Sequence, residues 1–263
     1  SAEDVDRAVK DAHRCFESAV WQKMRPLDRG RLLERLALLI EEEADALATL
    51  ESWDNGKPYA VSRNIDLAFS MDALRYYAGW SSKMAGEYLT LSPFINDGGT
   101  YRAYTERRPV GVVAGITPWN FPLGQAIQKI APAIAFGCTI VLKPSEETSL
   151  TTLRLGELIQ KAGFPPGAVN IVTGYGGPVG TSLVDHPLVR KITFTGSTLT
   201  GHPASRRISD EAGDAGAGRQ IPDRRAGRCR HGPGHTRCRH GDLRELRPDM
   251  HRRVAPFCRS FGL

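Results

Sequence analysis

Four short strings in this 263-residue chain set polar or charged side chains beside glycine or proline at spacings that could bind or react. In Thr117-Pro-Trp-Asn-Phe-Pro122 two prolines bracket Trp119-Asn120 and stiffen the loop. A rigid side-chain amide suits a donor to a developing oxyanion, because a donor that must reorganise loses much of its value. The rival role for Asn120 is a cap on the following helix. Lys143-Pro-Ser-Glu146 sets a cation and a carboxylate just past an apolar run. A carboxylate there can accept both hydroxyls of an adenosine ribose, which favours NAD over NADP; an ordinary surface ion pair is equally open. Gly174-Tyr-Gly-Gly-Pro-Val-Gly180 approaches the dinucleotide glycine fingerprint, with the last spacing one residue too long. A turn and a helix start, with Pro178 near the first turn, reads it as well. In Thr195-Gly-Ser-Thr198, free backbone N–H groups and the Ser197 hydroxyl could hold a pyrophosphate, or Ser197 could simply cap a helix.

The elements around these strings give them a common position. Asp4 to Ala19, Arg29 to Leu50 and Asp66 to Ala85 carry apolar residues at helical spacing, and core packing accounts for those stripes. In the second, Glu41, Glu42 and Glu43 are expected to face water. From Tyr101 the texture changes. Strands are predicted at Tyr101 to Arg108, within Pro109 to Thr117, at Thr139 to Leu142, at Val169 to Thr173 and at Lys191 to Thr195. Helices are predicted at Leu123 to Phe136, Ser149 to Ala162 and Pro178 to Val184, with Gly163 as a C-cap. Strands alternating with helices imply a parallel, doubly wound sheet. All four strings then fall at carboxyl ends of strands, where such sheets bind ligands.

Charge divides the chain in two. His202 to Leu263 holds 14 Arg, no Lys and 7 acidic residues, while Ser1 to Gly201 keeps 21 basic and 22 acidic residues. The whole-chain charge of +6 is therefore a property of the C-terminal stretch, and residues 1–201 read as a near-neutral globular region. Hydrophobic residues make up 41%, no apolar run approaches the ~18 residues of a membrane span, and no leader is visible at Ser1. Cys15 and Cys138 are too isolated for a disulfide framework, so a reducing cytoplasm is expected.

Taken in order and at their intervals, Pro118-Trp-Asn-Phe-Pro122, Lys143-Pro-Ser-Glu146 and Phe194-Thr-Gly-Ser197 resemble the aldehyde dehydrogenase superfamily. Tyr76-Tyr-Ala-Gly-Trp80 and Arg108-Pro-Val-Gly-Val112 extend the likeness, which covers Ser1 to Gly201. The resemblance implies an α/β fold, with N-terminal helices and an incomplete Rossmann-like parallel sheet. It implies NAD(P)-dependent oxidation of an aldehyde to a carboxylic acid, with NAD as cofactor and NADP as the alternative. It makes Asn120 the oxyanion donor, puts Lys143 and Glu146 on the adenosine ribose, and lays Gly176, Gly180 and Ser197 along the cofactor. Ile116, Thr117, Trp119, Ser145, Phe194 and Gly196 complete the implied cofactor contacts. The family is homo-oligomeric; its substrate is a small-molecule aldehyde, and neither nucleic acid, membrane nor metal is expected.

The resemblance stops after about Gly201. The family continues with Glu-Leu-Gly-Gly-Lys, whose Glu is the general base, and Gly-Gln-x-Cys, whose Cys attacks the aldehyde to form a thiohemiacetal and then a thioester. Residues 202–263 spell neither. Their apolar residues have no period, so a non-homologous, disordered stretch is expected. A frameshift is the expected cause. Read one nucleotide later, Asp210 to Pro222 can give Met-Lys-Arg-Val-Thr-Leu-Glu-Leu-Gly-Gly-Lys-Ser-Pro. Met250-His251 must give Cys, and Arg247 to Asp249 can give Gly-Gln-Ile. On this reading the zinc-like Cys229, His231, His235, Cys238 and His240, and the arginine-rich character, are accidents of the wrong frame, and the chain as written is inactive.

Overall fold

The computed structural model describes residues 1–89 and 102–197, all within one compact unit, Ser1–Gly216. The N-terminal portion is helical: α1 (Ala2–Glu17), α2 (Ala19–Gln22), α3 (Pro26–Glu42), α4 (Ala44–Asn55) and α5 (Tyr59–Val61). A π-turn over Ser62–Asp66 leads into α6 (Leu67–Trp80). A short antiparallel pair follows, β1 (Tyr88–Leu89) with β2 (Ala103–Tyr104). Then come β3 (Val112–Ile116), α7 (Pro122–Ala135), β4 (Thr139–Lys143), α8 (Leu150–Ala162) and β5 (Val169–Ile171). A second π-turn, Gly176–Gly180, runs into α9 (Thr181–Val184), and β6 is Val189–Phe194.

The last four strands form one parallel sheet in the order β5-β4-β3-β6. The chain steps outward from β3 through β4 to β5, then returns by way of α9 to lay β6 on the other side of β3. The reversal puts a switch point at β3, where connections leave in opposite directions and a crevice opens.

Strand periodicity assigns the faces. Val112, Ala114 and Val141 pack with Val5, Val9, Ala12 of α1 and Leu183 of α9. Val113, Ile140 and Leu142, one residue out of phase, pack into the larger core of α3, α6, α7 and α8. Both faces of the sheet are thus covered, as continuous apolar strands require.

Several expected boundaries shift for physical reasons. The single helix over Arg29 to Leu50 is two helices, broken at Glu43. Glu43 is not solvated as expected: its carboxylate is half-buried and takes Arg154 and Lys161 of α8. The third helix starts in a π-turn and stops at Trp80 rather than Ala85. Of the strand expected over Tyr101 to Arg108, the described residues pair only at Ala103–Tyr104. Gly163 ends α8 at φ +85°, the left-handed conformation that glycine adopts without a Cβ clash. The helix expected after Thr195, the metal-like cysteines and histidines, and Met250-His251 lie outside the described residues.

Candidate active site at the carboxyl edge of the sheet

Backbone hydrogen bonds knit the ends of β3, β4 and β6 into one rim. Thr117 N donates to Lys143 O at 3.1 Å, and Thr195 N donates to Ile116 O at 3.1 Å. The candidate residues on these strand ends, Ile116, Thr117, Lys143, Phe194, Gly196 and Ser197, are therefore brought together, as their common edge position predicts. The Phe194 ring folds over Gly196, where an added Cβ would fall 2.6 Å from Cζ, so a side chain at Gly196 would have to displace the ring.

Lys143 ends β4 and is almost fully buried. Its Nζ donates to Pro144 O at 2.8 Å and to Glu146 Oε2 at 3.0 Å. The ion pair exists, but it is no surface pair: only the Glu146 carboxylate, with its side chain 34% exposed, reaches the crevice. Glu146 Oε1 accepts from Gly176 N at 3.3 Å, tying the β4 loop to the glycine-rich turn. Partial burial raises the Glu146 carboxyl, but its own backbone N–H, Lys143 and the Gly176 N–H outweigh it and hold it below its ordinary value. It is a carboxylate at neutral pH, as an acceptor for two hydroxyls must be. Ser145 makes only local contacts, its Oγ accepting from Glu147 N at 3.4 Å.

The glycine-rich string forms a π-turn with Tyr175 as N-cap and no side-chain cap. A Cβ added at Gly176 or Gly177 would meet no protein atom within 4 Å and both are exposed, so the space before these two backbone groups is open to a ligand, whereas Gly180 is buried in the turn. Thr117 adds a second sign of fit: its hydroxyl is buried and has no hydrogen-bond partner. An anionic dinucleotide matches this set, a carboxylate for ribose hydroxyls and unhindered backbone at a helix start for phosphate.

Asn120 is exposed, and its side chain has no hydrogen bond among the described residues. The capping role is overturned, because Phe121 is the N-cap of α7 and no side chain caps that end. The loop is nevertheless held. Trp119 O accepts from Asn55 Nδ2 at 2.6 Å and from Thr148 Oγ1 at 3.0 Å, while the Trp119 ring itself is mostly exposed. Asn120 is thus a free amide on an anchored backbone.

Sequence reasoning missed Lys129, which lies at the same rim. It shares the buried face of α7 with Pro122, Ala126 and Ala133, and its Nζ donates to Thr195 Oγ1 at 2.7 Å. Burial lowers its pKa to about 8. The helical spacing of those four positions was the available signal, but a lysine reads as solvated unless the phase of the whole helix is laid out.

A model of the aldehyde dehydrogenase family matches residues 1–215. The chain belongs to the aldehyde dehydrogenase family. Phenylacetaldehyde dehydrogenase of Pseudomonas fluorescens is 51% identical over 199 residues, covering 76% of this chain and 40% of that protein. Mitochondrial aldehyde dehydrogenase of Sus scrofa is 49% identical over 201 residues, 76% of this chain and 37% of that one. Among solved structures, an NAD+ complex of aldehyde dehydrogenase from Bacillus cereus superposes with a TM-score of 0.75 at 45% identity, over 80% of this chain and 41% of that one. The chain thus spans less than half the length of these aldehyde dehydrogenases. The family match runs past Gly201, where the recognisable motifs end.

Proposed function

We propose that residues 1–201 hold NAD and carry the oxyanion donor of an NAD-dependent aldehyde dehydrogenase. The observation that carries this reading is the Glu146 carboxylate, fixed by buried Lys143 and by Gly176 N at the mouth of an open glycine turn. In it, Glu146, oriented by buried Lys143, takes the adenosine ribose; Gly176, Gly180, Gly196 and Ser197 line the phosphates; Ile116, Thr117, Trp119, Ser145 and Phe194 complete the cradle. The Asn120 amide donates to the oxygen that becomes negative when a thiolate adds to the aldehyde carbonyl. Bound NAD supplies a hydride acceptor. A carboxylate at Glu146 repels a 2′-phosphate, so NADP is the weaker ligand.

Oxidation also needs a thiolate and a base, and residues 202–263 spell neither family segment. As written, the chain is then a nucleotide-binding fragment of the family, an aldehyde dehydrogenase by descent that does not turn aldehydes over. The Pseudomonas fluorescens relative, a phenylacetaldehyde dehydrogenase, suggests phenylacetaldehyde as one free aldehyde to try.

The test is an NAD titration of the 263-residue chain followed by addition of phenylacetaldehyde. Saturable NAD binding without NADH formation is expected. Glu146→Gln should weaken NAD by roughly tenfold to a hundredfold, the worth of a hydrogen bond to a charged group, and narrow the margin over NADP. No NAD binding would end the cofactor reading; NADH formation by a homogeneous sample would end the inactivity reading.

A further inference from the structure

Seven residues at the end of α4, Glu51 to Lys57, hold both loops of the crevice. Gly56 closes the helix at φ +79° and lets Lys57 turn back. Asn55 Nδ2 holds Trp119 O, and Asp54 Oδ2 accepts from Leu150 N at 2.9 Å, at the start of α8. Glu51 Oε2 accepts from Leu123 N at 3.3 Å, one of the free amides at the start of α7. Lys57 Nζ lies 3.8 Å from the centroid of the Phe121 ring. Asn120 is therefore gripped through the residue before it and through the first turn after it, all from one segment.

The chemistry of the grip is unusual. Glu51 and Asp66 are both fully buried, and both carboxyl groups converge on Lys57, whose Nζ lies 3.9 Å from Glu51 Oε1. Lys57 pairs with Asp66 Oδ2, and Leu123 N occupies Glu51 Oε2. Glu51 Oε1 and Asp66 Oδ1 find no donor. Two buried carboxylates with one lysine would leave an uncompensated charge, at a cost of several kcal/mol. A proton shared between Glu51 and Asp66 satisfies both oxygens and leaves a single negative charge for Lys57. Burial first, and then Asp66, push the Glu51 carboxyl well above its ordinary range. Asp66 is the last residue of the π-turn and is fully buried there.

We propose that Glu51 is a positioning residue for Asn120: sharing a proton with Asp66 and tethered by Lys57, it fixes the strand-to-helix turn that presents the oxyanion donor. This rests on the oxyanion reading of Asn120. Glu51 does not touch the crevice and acts through Leu123 N and Phe121.

Amide hydrogen exchange of the full chain, with peptides spanning residues 117–124, reads the turn directly. The side-chain amide signal of Asn120, identified by its loss in Asn120→Ala, reads the donor. Glu51→Gln keeps an acceptor for Leu123 N and a donor for Asp66, so near-wild-type protection and one sharp Asn120 signal are expected. Glu51→Ala should speed exchange of that peptide at least tenfold and broaden the Asn120 signal, with α1 and α9 unchanged. The groups acting on Glu51 are Asp66 from the π-turn, Lys57 from the α4–α5 connection and, from α7, the Leu123 N–H; Arg154 and Lys161 of α8 bind Glu43 at the other end of α4. In wild type, protection of the turn, corrected for intrinsic exchange, should fall at mildly alkaline pH as the shared proton leaves. Glu51→Gln should show no such step. Identical pH profiles for the two, or an Asn120 signal unmoved in Glu51→Ala, overturn the proposal. If Glu51→Ala does not fold, the comparison of wild type with Glu51→Gln still decides it. Absence of NAD binding would remove the functional reading and leave the grip intact, whereas unchanged protection with normal NAD binding removes the grip alone.

Discussion

Lys129 shows how far one residue's solvent can move its chemistry. Its ammonium sits against the underside of the rim with Thr195 Oγ1 as its hydrogen-bond acceptor, and burial brings its pKa to about 8 against an unfolded value near 10.4. The sign of the stability effect follows. Below about pH 8 both states are charged and the folded state bears the full desolvation cost. Between about 8 and 10.4 the unfolded chain binds the extra proton, so stability rises with pH, by about 3 kcal/mol in all. Denaturant titrations of wild type across that window should show the rise, and Lys129→Met should flatten it while raising stability at neutral pH. A difference between wild type and Lys129→Met that stays constant from pH 8 to 10 means the lysine is solvated, since Cys15, Cys138 and Tyr77, raised by burial, act equally in both proteins. Asn120 and Glu146 were legible from their neighbours, prolines in one case and a strand end in the other. Lys129 and Glu51 were not, because charged residues inside helices read as solvated until the partners that bury them are known.

Elements show the same division between local and long-range causes. The glycine stop of α8, the helix α7 and strands β3, β4 and β6 all follow from periodicity and caps that a short window contains. The break between α3 and α4 does not. Glu43 ends one helix and begins the next, and it is held there by Arg154 Nε and Nη2 on Oε2 and Lys161 Nζ on Oε1. Those partners are more than a hundred residues downstream in sequence, so the string Glu41-Glu42-Glu43 reads as one solvated run. The two π-turns escape sequence reasoning too, since nothing in a 3.6-residue pattern marks an extra residue in a turn. Arg154 first, then Lys161, hold the Glu43 carboxyl below its ordinary value. Its contribution is therefore present above the ordinary carboxylate range and lost as pH falls through the lowered folded value. Glu43→Gln should lower stability at pH 7 by about 1 kcal/mol, as a partly exposed bidentate network warrants. The difference between the two proteins should vanish in acid. A thermal-melt series from pH 7 down to pH 3 checks this, and a constant difference across it would remove the electrostatic account of the helix break.

At the scale of the whole molecule, the sheet, its helices and the candidate site residues lie within the described residues 1–89 and 102–197, and the composition changes after Gly201. The arginines of residues 202–263 give the chain its positive charge and share no motif with the family's base or nucleophile. On the proposed frameshift, a single shift can return both family segments in order with suitable codon choices, and only the Cys under Met250-His251 is forced by the amino acids themselves. If the frameshift is real, deletion of one nucleotide between the Gly201 and Asp210 codons restores the frame. The triplet beginning at the second base of the Gly216 codon must be GAG, which gene sequencing settles before any protein is made. If it is GAG, the corrected gene should yield a chain that forms NADH from NAD and an aldehyde, whereas the 263-residue chain should bind NAD and form none. In the corrected chain Asn120→Ala should cost at least about a hundredfold in kcat, the loss typical of one oxyanion donor, with NAD affinity little changed. Glu51→Gln, which keeps the turn, should spare most of that activity. A corrected chain whose turnover ignores Asn120 would place the oxyanion elsewhere and break the link between the anchored loop and the chemistry.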